Sequence, residues 1–95
     1  MEIILSDKAL EHIAYWKETN NVAVQKRIIE LKNAIIATPF KGIGKPEPLK
    51  YKLSGKWSRR IDKENRIVYA VENNTLYIYS LKGHYSIKKR AIKNT

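Results

Sequence analysis

Apolar positions in the first part of the chain recur at helical spacing, and from Leu49 onward they alternate or cluster as they do in strands. Glu2 to Leu5 is a short apolar run suited to a buried strand. Ser6-Asp7 follows, an N-cap hydroxyl and a carboxylate where a helix start favours both. Ala9, Leu10, Ile13 and Trp16 then share one helical face, with Lys8, Glu11 and Lys17 toward solvent. Thr19-Asn20-Asn21 breaks the pattern. Val24, Ile28, Leu31 and Ile35, at i, i+4, i+7 and i+11, predict a second helix with Lys26, Glu30 and Asn33 on its polar side. This helix must end before Pro39, because the residue preceding a proline is biased away from the helical region.

From Phe40 the pattern changes. Lys41-Gly42-Ile43-Gly44-Lys45-Pro46 reads as a basic loop that leads to Glu47, which is held between Pro46 and Pro48. Leu49 to Leu53 is expected to be a strand ending at the Ser54-Gly55 turn. Trp57 to Asp62 alternates, Lys63-Glu64-Asn65 is the next turn, and Arg66 to Val71 is a β-branched run. Asn73-Asn74 supplies a hairpin turn before Leu76 to Leu81. The predicted order is strand, two helices, then a meander of about four strands, an α+β layout with the helices on one sheet face. Ser86 to Thr95 is basic and poor in apolar residues, as expected of a loose tail or short terminal helix.

Charge narrows the class of partner. The 95 residues fit one small domain with a formal net charge of +10, from 19 Lys and Arg against 9 Asp and Glu. The excess is spread from Lys41 to Lys93, a distribution that favours a polyanion: nucleic acid, an acidic protein segment or an anionic surface. No apolar run approaches the length of a spanning helix, and the basic positions are not confined to one face of one helix, so a membrane role is the weakest of the three. There is no cysteine, which removes disulfides and thiolate metal sites. Met1 to Leu5 enters a strand pattern without a charged leader or cleavage site, and the expectation is a cytoplasmic protein.

Candidate chemistry lies between Thr38 and Tyr85. Glu47 is either an ordinary loop glutamate or a carboxylate aimed by its two prolines, which fix φ on either side of it. His84, at the end of the last predicted strand, is either an exposed strand-end histidine or a proton donor working near neutral pH. His12 lies within the first helix and reads as structural. Arg59, Arg60 and Arg66 fall on strands expected to be neighbours and suggest a phosphate site. Adjacent strand residues face opposite ways, so Arg59 goes with Trp57 and Ile61 and Arg60 with Ser58 on the more open side. Tyr51, Trp57, Tyr69, Tyr77, Tyr79 and Tyr85 interleave with basic residues; base stacking or strand packing accounts for them, and packing is the reading for Trp57 and Tyr69. There is no metal-ligand cluster, phosphate loop or nucleophile elbow.

TPF at 38–40, GKPEPLK at 44–50, LSG at 53–55, WSRRI at 57–61, RIVYAV at 66–71 and HY at 84–85, in that order and spacing, resemble the YoeB/Txe toxins of the RelE toxin superfamily. The resemblance begins at the strand–helix opening with Tyr15-Trp16 and covers nearly the whole chain. It implies a RelE-like (microbial-RNase-like) fold of order β-α-α-β-β-β-β over 1–85, two helices on one face of a mainly antiparallel sheet, followed by a basic extension at 86–95. Family members commonly end at or just after the HY pair, whereas this chain continues through SIKKRAIKNT.

The same resemblance implies a ribosome-dependent endoribonuclease that needs no metal or cofactor. In it Glu47 is the general base, Arg66 stabilises the phosphate and His84 is the general acid. Lys50, Arg60 and Tyr85 make accessory RNA or phosphate contacts. The implied partners are a YefM-like antitoxin, the bacterial ribosome with its messenger RNA, and a second copy in a homodimer. Two other readings stay open at this point: a ParE-like toxin directed at DNA gyrase, and a non-catalytic RNA-binding module.

Overall fold

The computed structural model describes residues 1–84. Strand β1 (Glu2–Leu5) leads into α1 (Asp7–Glu18) and α2 (Val22–Ala37). Then come β2 (Glu47–Pro48), a 3-10 turn at Tyr51–Leu53, β3 (Trp57–Arg60), β4 (Arg66–Glu72) and β5 (Thr75–Ser80). The five strands form one sheet in the order β1-β5-β4-β3-β2, with β1 parallel to β5 and the other pairs antiparallel.

The helix boundaries follow from capping. Ser6 accepts from the Ala9 N–H at 3.0 Å, and Asn21 accepts from the Val24 N–H at 3.1 Å. One stripe of each helix then covers the sheet: Ala9 and Trp16 from α1 and Val24, Leu31 and Ile35 from α2 pack on Ile67, Tyr69, Leu76 and Ile78. Asn73 and Asn74 both take positive φ, 51° and 59°, which matches the twist a two-residue hairpin needs between β4 and β5. The register of β4 on β5 shifts at Val68/Tyr69, a bulge beyond which Ser80 pairs with Val68.

Three expectations are corrected. Glu2–Leu5 is an edge strand rather than a buried one: Ile3 and Ile4 are exposed because, among the described residues, β1 has a neighbour on one side only. Leu49 to Leu53 is not a strand. Pairing stops at Pro48, Tyr51 adopts a φ of 58°, and a 3-10 turn carries the chain to Ser54. Leu10 lies on the outer side of α1 and is exposed, since the apolar stripe of this helix runs through Ala9, Ile13 and Trp16.

Among the described residues, no helix is long and apolar enough to cross a membrane. An apolar groove of about 270 Å³ opens between the helices and the β1 edge, lined by Ile3, Ile13, Ile28, Ile29 and Ile78 among others.

Candidate functional site

Ile67, Tyr69, Leu76 and Ile78 point toward the helices, so the alternate positions line the opposite face. Glu47 on β2 stands opposite Ser58 on β3, and Arg60 on β3 stands opposite Arg66 on β4. Strand alternation therefore puts Glu47, Ser58, Arg60 and Arg66 on one side of the sheet. The side chains of Glu47, Ser58 and Arg66 meet there. Arg66 Nη1 donates to Ser58 Oγ at 3.3 Å and lies 3.6 Å from Glu47 Oε1. Side-chain exposure is 13% for Arg66 and 50% for Glu47, so a ligand approaching this face reaches the carboxylate while the guanidinium is held from below.

Two arginines directly opposite each other repel, and such a pair is destabilising unless negative charge lies nearby. Glu47 supplies part of that charge to Arg66. The sequence placed Arg60 on the open side with Ser58, and Arg60 is exposed there.

Arg59, by contrast, does not join the residues on this face. It is 0% exposed on the helix side of the sheet, where alternation sends it together with Trp57. Its guanidinium donates to the carbonyls of Thr38, Lys41 and Ile43, and its Nε donates to the Tyr69 hydroxyl at 3.1 Å. Tyr69 in turn donates to the Pro39 carbonyl at 2.7 Å. Arg59 and Tyr69 thus tie down the loop that follows α2, and the Arg60 N–H bonds the Gly44 carbonyl at 2.6 Å at the far end of that loop. Glu47 follows three residues later. Its backbone is set by this anchored loop, by the flanking prolines and by pairing with β3. Burial pushes the Tyr69 phenol above its ordinary range, against the opposing pull of Arg59.

His84 arrives at the site through its neighbour. The Gly83 carbonyl accepts from the Arg66 N–H at 3.0 Å, so His84 begins beside the first residue of β4. The Gly83 N–H is held by Asn65 Oδ1 at 2.8 Å, and Asn65 is oriented by Asp62, which accepts from both its N–H and its side-chain amide. His84 is exposed. Lys50 is also exposed, at the start of the 3-10 turn. Tyr85 and the 86–95 extension lie outside the described residues.

His12 is structural, as its place in the helix suggested. Its Nδ1 accepts from the Leu81 N–H at 2.9 Å, and burial, with Lys82 and Lys8 nearby, lowers its pKa. Ser58, Asn65 and Lys56 also belong to this region without having been singled out in the sequence. Alternation had already put Ser58 on the face of Arg60. Lys56 sits over the Tyr79 ring with 4.7 Å between Nζ and the centroid, so Tyr79 is covered by a cation. Among the described residues, no three His, Asp or Glu side chains come together in a way that could hold a metal ion.

Residues 5–85 match the family described as YoeB-like toxin of bacterial type II toxin-antitoxin system. The chain is 48% identical over 85 residues to Toxin YoeB of Escherichia coli (strain K12), covering 90% of this chain and 100% of that protein. It superimposes on a YoeB/ParE toxin from Agrobacterium tumefaciens with a TM-score of 0.85 at 34% identity, covering 90% of this chain and 100% of that one. It is also similar to the toxin in the heterotetrameric YoeB-YefM complex of Staphylococcus aureus, with a TM-score of 0.81 at 42% identity, covering 90% and 98% of the two chains.

Proposed function

The chain belongs to the YoeB-like toxins of bacterial type II toxin–antitoxin systems, and on that premise we propose that it is a ribosome-dependent endoribonuclease cutting messenger RNA in the A site. The observation that carries this reading is the meeting of Glu47 and Arg66 on one sheet face, 3.6 Å apart, with Arg60 opposite Arg66 and His84 led to the same strand end.

Glu47 takes the proton of a ribose 2′-hydroxyl, and the 2′-oxygen forms a bond to the adjacent phosphorus. Charge builds on the equatorial oxygens of the pentacoordinate centre. Arg66 stabilises it, with Arg60 and Lys50 as accessory contacts and Tyr85 helping to position the nucleotide. The bond from phosphorus to the 5′-oxygen breaks, and protonated His84 delivers a proton to that oxygen. The products are a 2′,3′-cyclic phosphate, or the 3′-phosphate after hydrolysis, and a 5′-hydroxyl. DNA lacks the nucleophile and should be inert.

Glu47 stands on an open face, half exposed, and the apolar groove lies on the helix side with none of the proposed residues in its lining. So open a site orients a flexible RNA poorly, and a ribosome that fixes the codon supplies the missing alignment. The partner that silences the protein is a YefM-like antitoxin with an acidic, apolar segment, as the toxin of the Staphylococcus aureus complex has YefM. A homodimer and a cytoplasmic location complete the reading.

Primer extension on a messenger RNA translated in a purified system tests it, with wild-type protein, Glu47→Ala and His84→Ala, each with and without ribosomes. Cuts within codons that need ribosomes and vanish in both variants are the expected result. A folded wild-type protein that makes no cuts, or a Glu47→Ala variant that cuts normally, would overturn the assignment. Every proton in the scheme moves through a side chain, so EDTA should leave intact any cleavage that does not require ongoing translation.

A further inference from the structure

Beyond β5 the chain leaves the sheet, and helix α1 takes over as its hydrogen-bonding partner. The last β4–β5 pair is Val68 with Ser80, so among the described residues Leu81 has no ladder neighbour for its backbone groups. It is 1% exposed and cannot rely on bulk water. Its N–H donates to His12 Nδ1 at 2.9 Å and its carbonyl accepts from Trp16 Nε1 at 2.9 Å. His12 and Trp16 are one helical turn apart on the same face of α1 and hold both polar groups of this one residue. Lys82 follows with its ammonium 4.7 Å from the Tyr15 ring. Gly83 is fixed from the opposite side by Asn65 and the Arg66 N–H, at 2.8 and 3.0 Å. Residues 81–83 therefore form a strap gripped by α1 at one end and by the start of β4 at the other. His84 is the next residue.

Of His12 and Trp16, the two residues gripping Leu81, only His12 has a side chain that takes up a proton, and burial holds its pKa below the ordinary histidine value. With Nδ1 accepting, the ring is neutral and carries its proton on Nε2. A proton added to Nδ1 would turn a donor toward a donor and break the bond. We propose that His12 is a positioning residue for His84: through the Leu81 peptide it sets where the strap delivers the imidazole, and protonation of His12 releases that hold. Among the described residues, the charged groups around His12 are Lys82 on the strap and Lys8 and Glu11 on its own helix. Burial and the two lysines favour the neutral, accepting form, and Glu11 opposes them. The consequence for cleavage rests on the assignment of His84 as the acid. The strap itself does not.

The test uses the full chain and three variants. His12→Asn offers an oxygen near the place of Nδ1 and cannot be protonated; His12→Leu offers no acceptor; His84→Ala is the catalytic control. Hydrogen exchange of the Leu81 amide and the ring resonances of His84 are followed by NMR against pH, beside ribosome-dependent cleavage. At neutral pH His12→Leu should lose Leu81 protection, shift the His84 ring resonances and lower kcat by about 10- to 100-fold with little change in KM, the cost of misplacing a reacting group. His12→Asn should restore all three. On acidification the wild type should lose Leu81 protection while His12→Asn keeps it, a comparison that still decides the matter if His12→Leu does not fold. His84→Ala should leave Leu81 protection intact. Persistent Leu81 protection in folded His12→Leu, or in acidified wild type, would overturn the strap. Lost protection with unmoved His84 resonances would overturn the positioning role. If the wild type makes no cuts while exchange and resonances respond as stated, the reading of function fails and the positioning of His84 stands.

Discussion

Replacing Arg59 with methionine removes the guanidinium that ties the loop after α2 to the sheet while leaving an unbranched apolar stem in its place. The site is 0% exposed, and the lost contacts are three carbonyls and the Tyr69 hydroxyl. Hydrogen bonds from a charged donor contribute about 1.5–3 kcal/mol each, so four taken at face value would exceed 6 kcal/mol. Two effects reduce that sum. Burying a guanidinium with no carboxylate within ion-pair reach among the described residues carries a desolvation cost that the variant no longer bears. The loop carbonyls are only partly buried, so water replaces some of the lost donors. A net loss of about 3–4 kcal/mol results, against roughly 5–14 kcal/mol of total stability for a chain of this length. At about 4–8 °C per kcal/mol, the melting temperature should fall by roughly 12–30 °C. Thermal melts followed by circular dichroism measure this directly, and amide exchange over residues 41–45 should rise below the transition. A fall of less than about 5 °C with unchanged loop exchange would show that Arg59 does not anchor the loop. Arg59→Lys keeps the charge but not the fork, and should fall between the two because a point donor cannot span four acceptors.

Three further outcomes follow from the same geometry. At Gly44, φ is +84° and an added Cβ would lie 2.8 Å from Leu31 Cδ2 and 3.1 Å from Arg59 Cβ, so Gly44→Ala should cost about 2–4 kcal/mol in urea unfolding. Asp62→Ala removes the acceptor that organises the turn before β4; about 1 kcal/mol should be lost, and the Gly83 amide should exchange faster as Asn65 is freed. Burial raises the Tyr69 pKa above its ordinary 10.0, so the folded state favours the neutral phenol. That contribution is complete below about pH 10 and is lost as pH rises toward the folded pKa; Tyr69→Phe, melted across the same range, should lack this alkaline component.

Much of the fold could be read from periodicity and turn chemistry. The Val24, Ile28, Leu31 and Ile35 stripe packs as expected, and the Asn73-Asn74 pair makes the hairpin. The buried reading of Glu2–Leu5 failed because apolar content does not reveal a strand's place in the sheet; only its pairing with Thr75–Ser80, far along the chain, puts it at the edge. The strand expected over Leu49 to Leu53 does not form, in part because Tyr51 takes a positive φ that a tyrosine does not announce. In the candidate site, alternation separated Arg60 from Arg59 correctly. What it could not supply was a purpose for Arg59, whose carbonyl acceptors lie 16 to 21 residues upstream in a loop without any periodic signal. The grip of α1 on Leu81 was hidden for the same reason: His12 and Leu81 are 69 residues apart.

The parallel pairing of β1 with β5 governs the order in which this molecule can be assembled. Glu2 pairs with Thr75, and Ser6 reaches the Tyr79 carbonyl across 73 residues. While the last strand is still inside the ribosome that synthesises it, β1 has no neighbour in the sheet and α1 has no strand end to hold. Folding must wait for contacts of long sequence separation, which form slowly. Until Thr75–Ser80 has emerged, a nascent chain of this protein is therefore an unfinished sheet, open to any partner that recognises its exposed edges before it closes.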